Sequence, residues 1–341
     1  MDRIGSAIID FTEAAYDLEL SNEDWLRSIL ERGLPVLDQG LGVAGYEYGR
    51  PPNGGEVDLR RVHVASGPKD FAERHLRALS TTDPAVLRRQ LRPGCASTGS
   101  MTSKDNPEEL EHYVSHVDYC KDVLFLTAVD SRGVGVAVVA PLAEVTTLSP
   151  QDEQRWQMLA AHVETGHRLR QGLHADDLEE EQTSDLPLDA EAIFEAKNFR
   201  VTDLAGQARK GAVTKKLREA ALIVDRARGR MRDTDPDRAL EMWKALVQGR
   251  WSMVDWFDSD RRRYVLAIPN SPDSGDPRGL SERESQVVAQ AVMGHSNKII
   301  AYRLGLSTSR VSLLLRNAMR KLGARTRAQL IEKMSGFQQL Q

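Results

Sequence analysis

Residues 279–334 read GLSERESQVVAQAVMGHSNKIIAYRLGLSTSRVSLLLRNAMRKLGARTRAQLIEKM. Apolar residues recur at helical spacing in four consecutive segments of this stretch, and a glycine follows each of the first three. A serine stands before each of these three segments, where its hydroxyl can cap the first turn. The stretch therefore predicts four short helices. The serines are Ser281, Ser296 and Ser307, and the glycines are Gly294, Gly305 and Gly323.

The third of these helices has two chemically different faces. At about 100° per residue, its apolar side chains cluster within about 120° and predict a buried face, whereas Leu313, Arg316 and Arg320 point the other way. Arginines can reach guanine edges or phosphates, and an aliphatic side chain can contact a thymine methyl, so this outer face suits the major groove of DNA. Arg310 lies in the first turn, where the helix dipole disfavours a cation and an external anion would explain it. The predicted buried residues are Val311, Leu314, Leu315, Ala318 and Leu322.

Charge is divided unevenly along the chain. Residues 278–341 hold eleven lysines and arginines against three glutamates, a net charge of +8. Because the whole chain carries −4, the first 277 residues carry −12. A basic segment on an acidic body favours a polyanion as the partner of that segment.

Short motifs along the predicted helices match, in register, those of a known family. They are Leu280–Glu284, Gly294–Ala301, Leu304–Ser307 and Arg320–Arg327, with Val311 and Asn317 before the last of them. On these motifs the segment resembles the LuxR/GerE-type DNA-binding domain, also called NarL/FixJ-type, over about 60 of the 341 residues. The resemblance implies a helix-turn-helix domain whose third helix lies in the major groove and whose fourth helix supports pairing of two copies.

The resemblance also implies roles for individual residues. Ser312, Leu313 and Arg316 take the base-facing positions, with Arg310 at the entrance of the groove. Phosphate contacts are implied for Lys298, Ser307, Thr308, Arg320, Lys321 and Arg325.

Four positions depart from residues that are common in the family. Glu is frequent where Ile299 stands, Thr at Arg310, Lys at Ser312 and His at Leu314. These differences predict that the chain reads a different half-site, with Arg310 replacing a donor lost at Ser312.

Residues 1–174 mix helical and strand patterns. The last two strands are expected to form a hairpin, and Ser149-Pro150 starts a long closing helix. This order resembles a GAF-type sensory domain, although a domain that mainly dimerises or docks remains the alternative. The predicted helices are 3–20, 22–39, 69–79, 84–91 and 107–120, and the predicted strands are 42–48, 57–65, 123–129 and 134–140.

A smaller α+β module is predicted at 190–268, between an acidic linker at 175–189 and a Pro/Ser/Asp/Gly-rich linker at 269–278. A strand or strand pair at 192–202, a long basic helix at 208–232 and a closing hairpin resemble a shortened PAS-like module. The predicted fold is therefore multidomain, with two α+β domains before an all-α helix-turn-helix domain at 279–341.

Three residues at helical spacing, His112, His116 and Cys120, raise the question of a metal site. On one helix this spacing would align two imidazoles and a thiol along one face. The alternative, which the sequence favours, is a partly buried helix with no metal. No cofactor is predicted.

Several classes of protein are excluded by missing residues. The N-terminal part lacks the acidic pair, strand-end Asp and later Lys of a phosphorylation receiver, and the Trp, Tyr and Asp pattern of an acyl-homoserine lactone pocket. The sequence contains no Gly-x-x-x-x-Gly-Lys-Ser/Thr loop. No activated nucleophile or carboxylate pair supports an enzyme.

The remaining expectations concern partners and location. The sequence predicts double-stranded DNA as a partner and a homodimer joined by helices at 150–172 or 208–232. It also predicts a small-molecule effector or a protein partner and, by family analogy, RNA polymerase. No apolar run approaches the roughly 18 residues of a membrane helix, and no secretory signal is recognised, so a cytoplasmic protein with reduced cysteines is expected.

The leading hypothesis is a one-component, sequence-specific transcription regulator that senses a ligand or partner through its N-terminal domains. The alternative is a protein that binds DNA constitutively and recruits a partner protein through its acidic body. An enzyme with an appended DNA-binding segment ranks third.

Overall fold

The structure is a computed structural model of the chain. It describes residues 2–49, 57–91, 96–129, 134–175, 184–243, 251–269, 282–321, 324 and 326–331. The chain divides into two compact units, Met1–Arg168 and Leu169–Gln341. Among the described residues, no helix has the length and hydropathy needed to cross a membrane.

The first unit alternates helices and strands. Its helices are α1 (Asp2–Ala15), α2 (Asn22–Leu37), α3 (Phe71–Thr81), α4 (Pro84–Gln90), α5 (Gly99–Thr102), α6 (Glu108–His116) and α7 (Pro150–Ala175), the last of which continues into the second unit. Its strands are β1 (Val43–Gly49), β2 (Asp58–Ser66), β3 (Ala96–Thr98), β4 (Asp122–Val129) and β5 (Val134–Leu142).

The five strands form one antiparallel sheet in the order β2-β1-β5-β4-β3. Strands β4 and β5 pair from Asp122–Leu142 to Val129–Gly135, which confirms the predicted hairpin; its turn lies outside the described residues. Strand β1 pairs with β5, which follows it by about 90 residues, so the centre of the sheet depends on distant parts of the sequence.

Helices cover both faces of this sheet. Alternate residues of β1, Ala44, Tyr46 and Tyr48, belong to a core shared with Phe71 of α3, whereas Gly45, between Ala44 and Tyr46, faces Leu30 of α2. The two faces of the sheet are therefore buried by different sets of helices.

Helix α7 packs closely on the first helix. The Tyr16 hydroxyl and His162 Nδ1 are 2.9 Å apart, and Gly166 is so close to α1 that an added Cβ would lie 1.9 Å from the carbonyl oxygen of Ala15. Because any side chain would collide with backbone there, Gly166 fixes how near the two helices can come. Ser149 caps α7, as predicted, by accepting from the Asp152 amide at 3.2 Å.

The predicted elements of this unit lie close to the observed ones, with three differences. Helix α1 ends at Ala15, whereas the prediction extended the helix to residue 20. The short elements β3 and α5 were not predicted, since three or four residues carry little periodic signal. Helix α6 ends at His116, whereas the prediction extended the helix to residue 120.

The second unit begins with a four-stranded antiparallel sheet in the order β7-β6-β9-β8. Its strands are β6 (Ala192–Glu195), β7 (Val201–Leu204), β8 (Trp251–Phe257) and β9 (Arg263–Pro269), and its helices are α8 (Gly211–Arg226), α9 (Arg232–Thr234) and α10 (Pro236–Met242). Short 3-10 turns lie at Pro187–Asp189 and Gly206–Arg209, and a π-helical turn lies at Ala227–Met231.

The prediction of one continuous helix at 208–232 is wrong. Helix α8 ends at Arg226, and Gly229 has a non-helical backbone with ψ −147°. Arg228, beside this break, pairs with Asp255 of β8 and lies 4.8 Å from the ring centre of Trp243. Contacts with the sheet and with this buried ring thus accompany the interruption.

Three helices and one further helical segment follow. They are α11 (Glu282–Val292), α12 (Asn297–Leu304), α13 (Thr308–Lys321) and residues 327–331. They share one apolar core, in which Val287, Ile300, Val311, Ala318 and Leu330 are completely buried or nearly so. The chain as a whole is mixed α and β, as predicted.

Candidate nucleic-acid interface

Helices α12 and α13 form a helix-turn-helix pair whose termini are set by local hydrogen bonds. Ser296 accepts from the Ile299 amide at 3.4 Å and Ser307 from the Arg310 amide at 3.1 Å, so both predicted caps are confirmed. Between the helices Gly305 takes a left-handed conformation with φ 60°, which glycine adopts without steric cost. The third predicted cap, Ser281, lies outside the described residues.

Helix α13 has the two faces that its sequence predicts. Val311 and Ala318 are 0% exposed, and Leu314 and Leu315 lie in the same core. We call the opposite side, made of Arg310, Leu313 and Arg316, the outer face of α13. All three residues are exposed, Leu313 to 41%. The predicted core residue Leu322 lies outside the described residues.

The predicted phosphate-contacting residues that the structure describes lie near the ends of α12 and α13. Lys298, Ser307 and Thr308 are exposed at the starts of α12 and α13. Arg320 and Lys321 belong to the last turn of α13. Arg325 lies outside the described residues.

Ser312 is placed differently from the other predicted base-facing residues. It is half-buried, and its hydroxyl donates to the Thr308 carbonyl at 3.0 Å and accepts from Asn297 Nδ2 at 3.1 Å. The Ser312 hydroxyl therefore ties α13 to α12. This engagement argues for a positioning role within the helix pair.

Two residues that the sequence analysis did not assign a role, Asn297 and Arg327, complete this connection. Arg327 donates to Asn297 Oδ1 at 3.1 Å and to the backbone carbonyls of Ala291 and His295. Partial burial lowers the pKa of the Arg327 guanidinium below its usual value. The start of the last helical segment is thus fixed to α11 and α12. Both residues lie in motifs on which the family resemblance rests, and this was the one sequence signal that could have pointed to them.

Helix α12 buries a second face, opposite the one in the helix-turn-helix core. Ile299, Tyr302 and Arg303 are each at most 7% exposed, although Ile299 and Tyr302 are not part of the core cluster. The Tyr302 hydroxyl donates to the carbonyl of Leu240, near the end of α10, at 2.8 Å. The helix-turn-helix therefore contacts the module that carries the four-stranded sheet, within the same compact unit.

Burial affects the interpretation of two of the four positions that differ from residues common in the family. Ile299 is 4% exposed and Leu314 is 6% exposed, so neither side chain is available to read a base. Their apolar character fits packing instead of a changed half-site. Of the four departures, Arg310 is the one that is exposed on the outer face of α13.

His112, His116 and Cys120 do not lie on one helix, because α6 ends at His116. His112 Nε2 is 3.1 Å from Thr81 Oγ1, and the Cys120 thiol donates to the Val117 carbonyl. Burial raises the pKa of Cys120 to about 11, which disfavours the thiolate that binds metals. Among the described residues, no group of three or more His, Cys, Asp or Glu side chains could hold a metal ion.

Comparison with known proteins gives two matches. Residues 278–334 match the family described as "Bacterial regulatory proteins, luxR family" (GerE). A protein of Haemophilus influenzae described as "Nitrate/nitrite response regulator protein homolog" is 32% identical over 97 residues. That match covers 28% of this chain and 44% of the relative. The predicted resemblance of the C-terminal segment is confirmed, and the matched family is one of regulatory proteins, not of enzymes, as predicted.

Proposed function

Because residues 278–334 are a luxR-family helix-turn-helix domain, we propose that the chain is a sequence-specific, one-component transcription regulator. The observation that carries the proposal is the outer face of α13, where Arg310, Leu313 and Arg316 are exposed while the opposite face is buried. A protruding helix with two cations and an aliphatic side chain fits the major groove.

The exposed residues divide between reading bases and contacting phosphates. Arg316 and Leu313 read base edges, and Arg310 acts at the entrance of the groove. The predicted phosphate contacts are those of Lys298, Ser307, Thr308, Arg320, Lys321 and Arg325. Ser312 positions α13 through Asn297, which holds the outer face at a fixed angle to α12.

The domains before residue 279 provide the input. The sheet order β2-β1-β5-β4-β3, with helices on both faces, supports the GAF-like interpretation of the first domain, and the order β7-β6-β9-β8 supports a reduced PAS-like module. In this proposal the input is a small-molecule effector or a protein partner, and the regulator acts as a homodimer on DNA with RNA polymerase.

The buried face of α12 is the route by which the input reaches DNA. Tyr302 joins α12 to α10 on the side away from the core, and the outer face of α13 remains exposed in the same arrangement. Movement of the sheet module would therefore reorient the helix-turn-helix without blocking it. A ligand can bias such an arrangement only by its different affinity for the two states.

A constitutive DNA-binding protein that recruits a partner through its acidic body is the second candidate. Net charge favours it, because the first 277 residues carry −12. The two candidates differ in whether an input ligand changes the affinity for DNA.

Substitution of Arg316 tests the proposal. Duplexes bound by the full chain would first be selected from its own genome, and affinities for a selected and a scrambled duplex then measured by fluorescence anisotropy. Arg316→Ala should cost about 1–3 kcal/mol on the selected duplex and reduce the preference for it. Arg320→Ala should weaken the binding of both duplexes about equally. It should also reduce the slope of log affinity against log salt concentration by about one.

Arg200→Ala is the matched control, since Arg200 is an exposed arginine in the turn between β6 and β7, outside the helix-turn-helix segment and outside both helices predicted to join a dimer. Its affinity for both duplexes should equal that of the wild type. An Arg316→Ala variant that keeps wild-type affinity and preference would contradict the proposed reading face.

A further inference from the structure

A cavity lies in the first unit between the sheet and helices α3, α5 and α6. It has about 590 Å³ of empty space, including its opening to solvent. The volume open to the centre of a water-sized sphere is about 40 Å³, compared with roughly 10–15 Å³ for a single bound water. The cavity is far along the chain from the DNA-binding residues and has no part in the interface described above.

Aromatic rings form much of the cavity wall. Tyr46 of β1, His75 of α3, Tyr113 of α6 and Phe125 of β4 all line it. The rings of Tyr46 and His75 are 5.4 Å apart at their centres, and those of His75 and Tyr113 are 5.7 Å apart and edge-to-face. These spacings lie within the range of favourable aromatic pairs, so the wall offers ring faces and edges against which a further ring can pack.

Two buried polar atoms of the lining residues have no hydrogen-bond partner. His75 is 1% exposed and Ser103 is 3% exposed, and neither His75 Nε2 nor Ser103 Oγ is paired. The other ring nitrogen of His75 is 3.1 Å from the Tyr113 hydroxyl, which fixes the orientation of the imidazole. Buried polar groups of this kind are usually satisfied, so both atoms point to a ligand that carries a hydrogen-bonding group.

The charge of the described lining disfavours an anion as the ligand. Among the described residues that line the cavity there is no lysine or arginine, and Glu109 supplies a half-buried carboxylate. Burial lowers the pKa of His75 to about 4, so its imidazole is neutral near pH 7. A carboxylate or phosphate would lose its hydration there without gaining a counter-charge.

We propose that this cavity binds a small uncharged aromatic molecule that carries a hydroxyl or similar hydrogen-bonding group, with simple phenols as the nearest chemical class. The ring packs among Tyr46, Tyr113 and Phe125, and the hydroxyl pairs with His75 Nε2. A hydroxyl both donates and accepts, so it suits either tautomer of the imidazole. The inference rests on the proposed regulator for its biological meaning, since the ligand would be the effector.

Binding by the full chain without DNA tests the inference. Calorimetric titrations would compare p-cresol with 4-hydroxybenzoate and tyramine, which add a negative and a positive charge to a similar ring. We expect saturable binding of p-cresol, at least tenfold tighter than that of either charged compound. No binding of p-cresol, or equal or tighter binding of a charged compound, would overturn the proposal.

His75→Phe keeps a ring in the cavity wall and removes the ring nitrogens, so it should lower the affinity for p-cresol at least tenfold. His63→Phe changes a histidine of the same unit that does not line the cavity, and it should bind as the wild type does. If His75→Phe does not fold, methyl NMR shifts of wild-type Leu79 and Leu110, which line the cavity, decide the question. Shifts confined to other methyl groups would overturn the proposed site.

Failure of the inference and failure of the proposed function can be distinguished. Absence of p-cresol binding, with Arg316→Ala still losing its preference for the selected duplex, rejects the cavity site alone. If p-cresol binds normally and Arg316→Ala keeps wild-type affinity and preference for the selected duplex, the DNA-reading role is rejected and the cavity site stays supported.

Discussion

The helix-turn-helix segment and the first unit differ in how their functional surfaces are built. The outer face of α13 is a single helix face, and its residues lie within seven positions of one another. The cavity of the first unit is lined by residues from Tyr46 to Val139, drawn from strands and helices across the unit. A surface on one helix follows from local periodicity, whereas an enclosed space exists only after distant segments have packed.

The same contrast appears in what holds each region together. The helix-turn-helix pair is defined by caps and a left-handed glycine within a few residues of each helix end. In the first unit β1 pairs with β5, and α7 returns to touch α1 at Gly166. Perturbations at long-range contacts should therefore affect the first unit strongly and leave α12 and α13 intact.

Gly166→Val is expected to have the largest effect. A Cβ at this position would lie 1.9 Å from the Ala15 carbonyl oxygen, so α1 and α7 must separate. We expect a loss of more than about 3 kcal/mol in the stability of the first unit. Hydrogen exchange read by mass spectrometry should show loss of protection in β4 and β5 but not in α12 and α13.

Gly211→Ala is the control for that experiment, since no atom lies within 4 Å of a Cβ built there. It should leave protection in both regions unchanged. Equal loss of protection in α12 and α13 of the Gly166→Val chain would break the comparison between the two regions.

Acidification is expected to have the next largest effect. Burial lowers the pKa of His75 from its ordinary 6.5 to about 4, so between these pH values the unfolded chain binds one more proton than the folded chain. The free energy of unfolding therefore falls as pH drops from 6.5 to 4, by up to roughly 3 kcal/mol, and this contribution changes no further below pH 4.

Chemical denaturation at several pH values measures this effect as the difference between the wild type and His75→Asn. The difference should narrow on acidification, since the variant lacks the titrating group. If the free energies of unfolding of the wild type and of His75→Asn change in parallel from pH 7 to pH 4, His75 is not the source of the pH dependence.

Tyr302→Phe is expected to have a smaller effect. It removes the hydroxyl that donates to the Leu240 carbonyl and should cost about 1 kcal/mol in stability of the second unit. Exchange protection in α10 should fall, while the affinity for a selected duplex should stay unchanged because the outer face of α13 is not altered.

Tyr264→Phe is the matched control, because the Tyr264 ring packs on Trp256 and its hydroxyl has no hydrogen bond to the residues described. Tyr264→Phe should leave the hydrogen-exchange protection of α10 as in the wild type. Unchanged α10 protection in Tyr302→Phe would show that this contact does not couple the helix-turn-helix to the sheet module.

Sequence reasoning gave most elements of the first unit because buried strands and amphipathic helices leave clear periodic signals. It missed β3 and α5, which are too short for such a signal. It also extended the helix of α8 to residue 232. The break at Gly229 accompanies contacts of Arg228 with Asp255 of β8 and with Trp243, and such distant contacts leave no periodic signal. The pairing of Ser312 with Asn297 could not be predicted, because it depends on how two helices meet.

The sequence by itself determined the helix-turn-helix segment, its caps and the exposed positions of Arg310, Leu313 and Arg316. These features depend on residues one or two helical turns apart, and backbone geometry fixes such distances before any tertiary contact forms. Only the tertiary structure decided that Ile299 and Tyr302 are buried, that Cys120 lies in the loop after the helix of His112, and that His75 lines a cavity. Each of these outcomes depends on which distant segments pack together, and residue spacing carries no record of that choice.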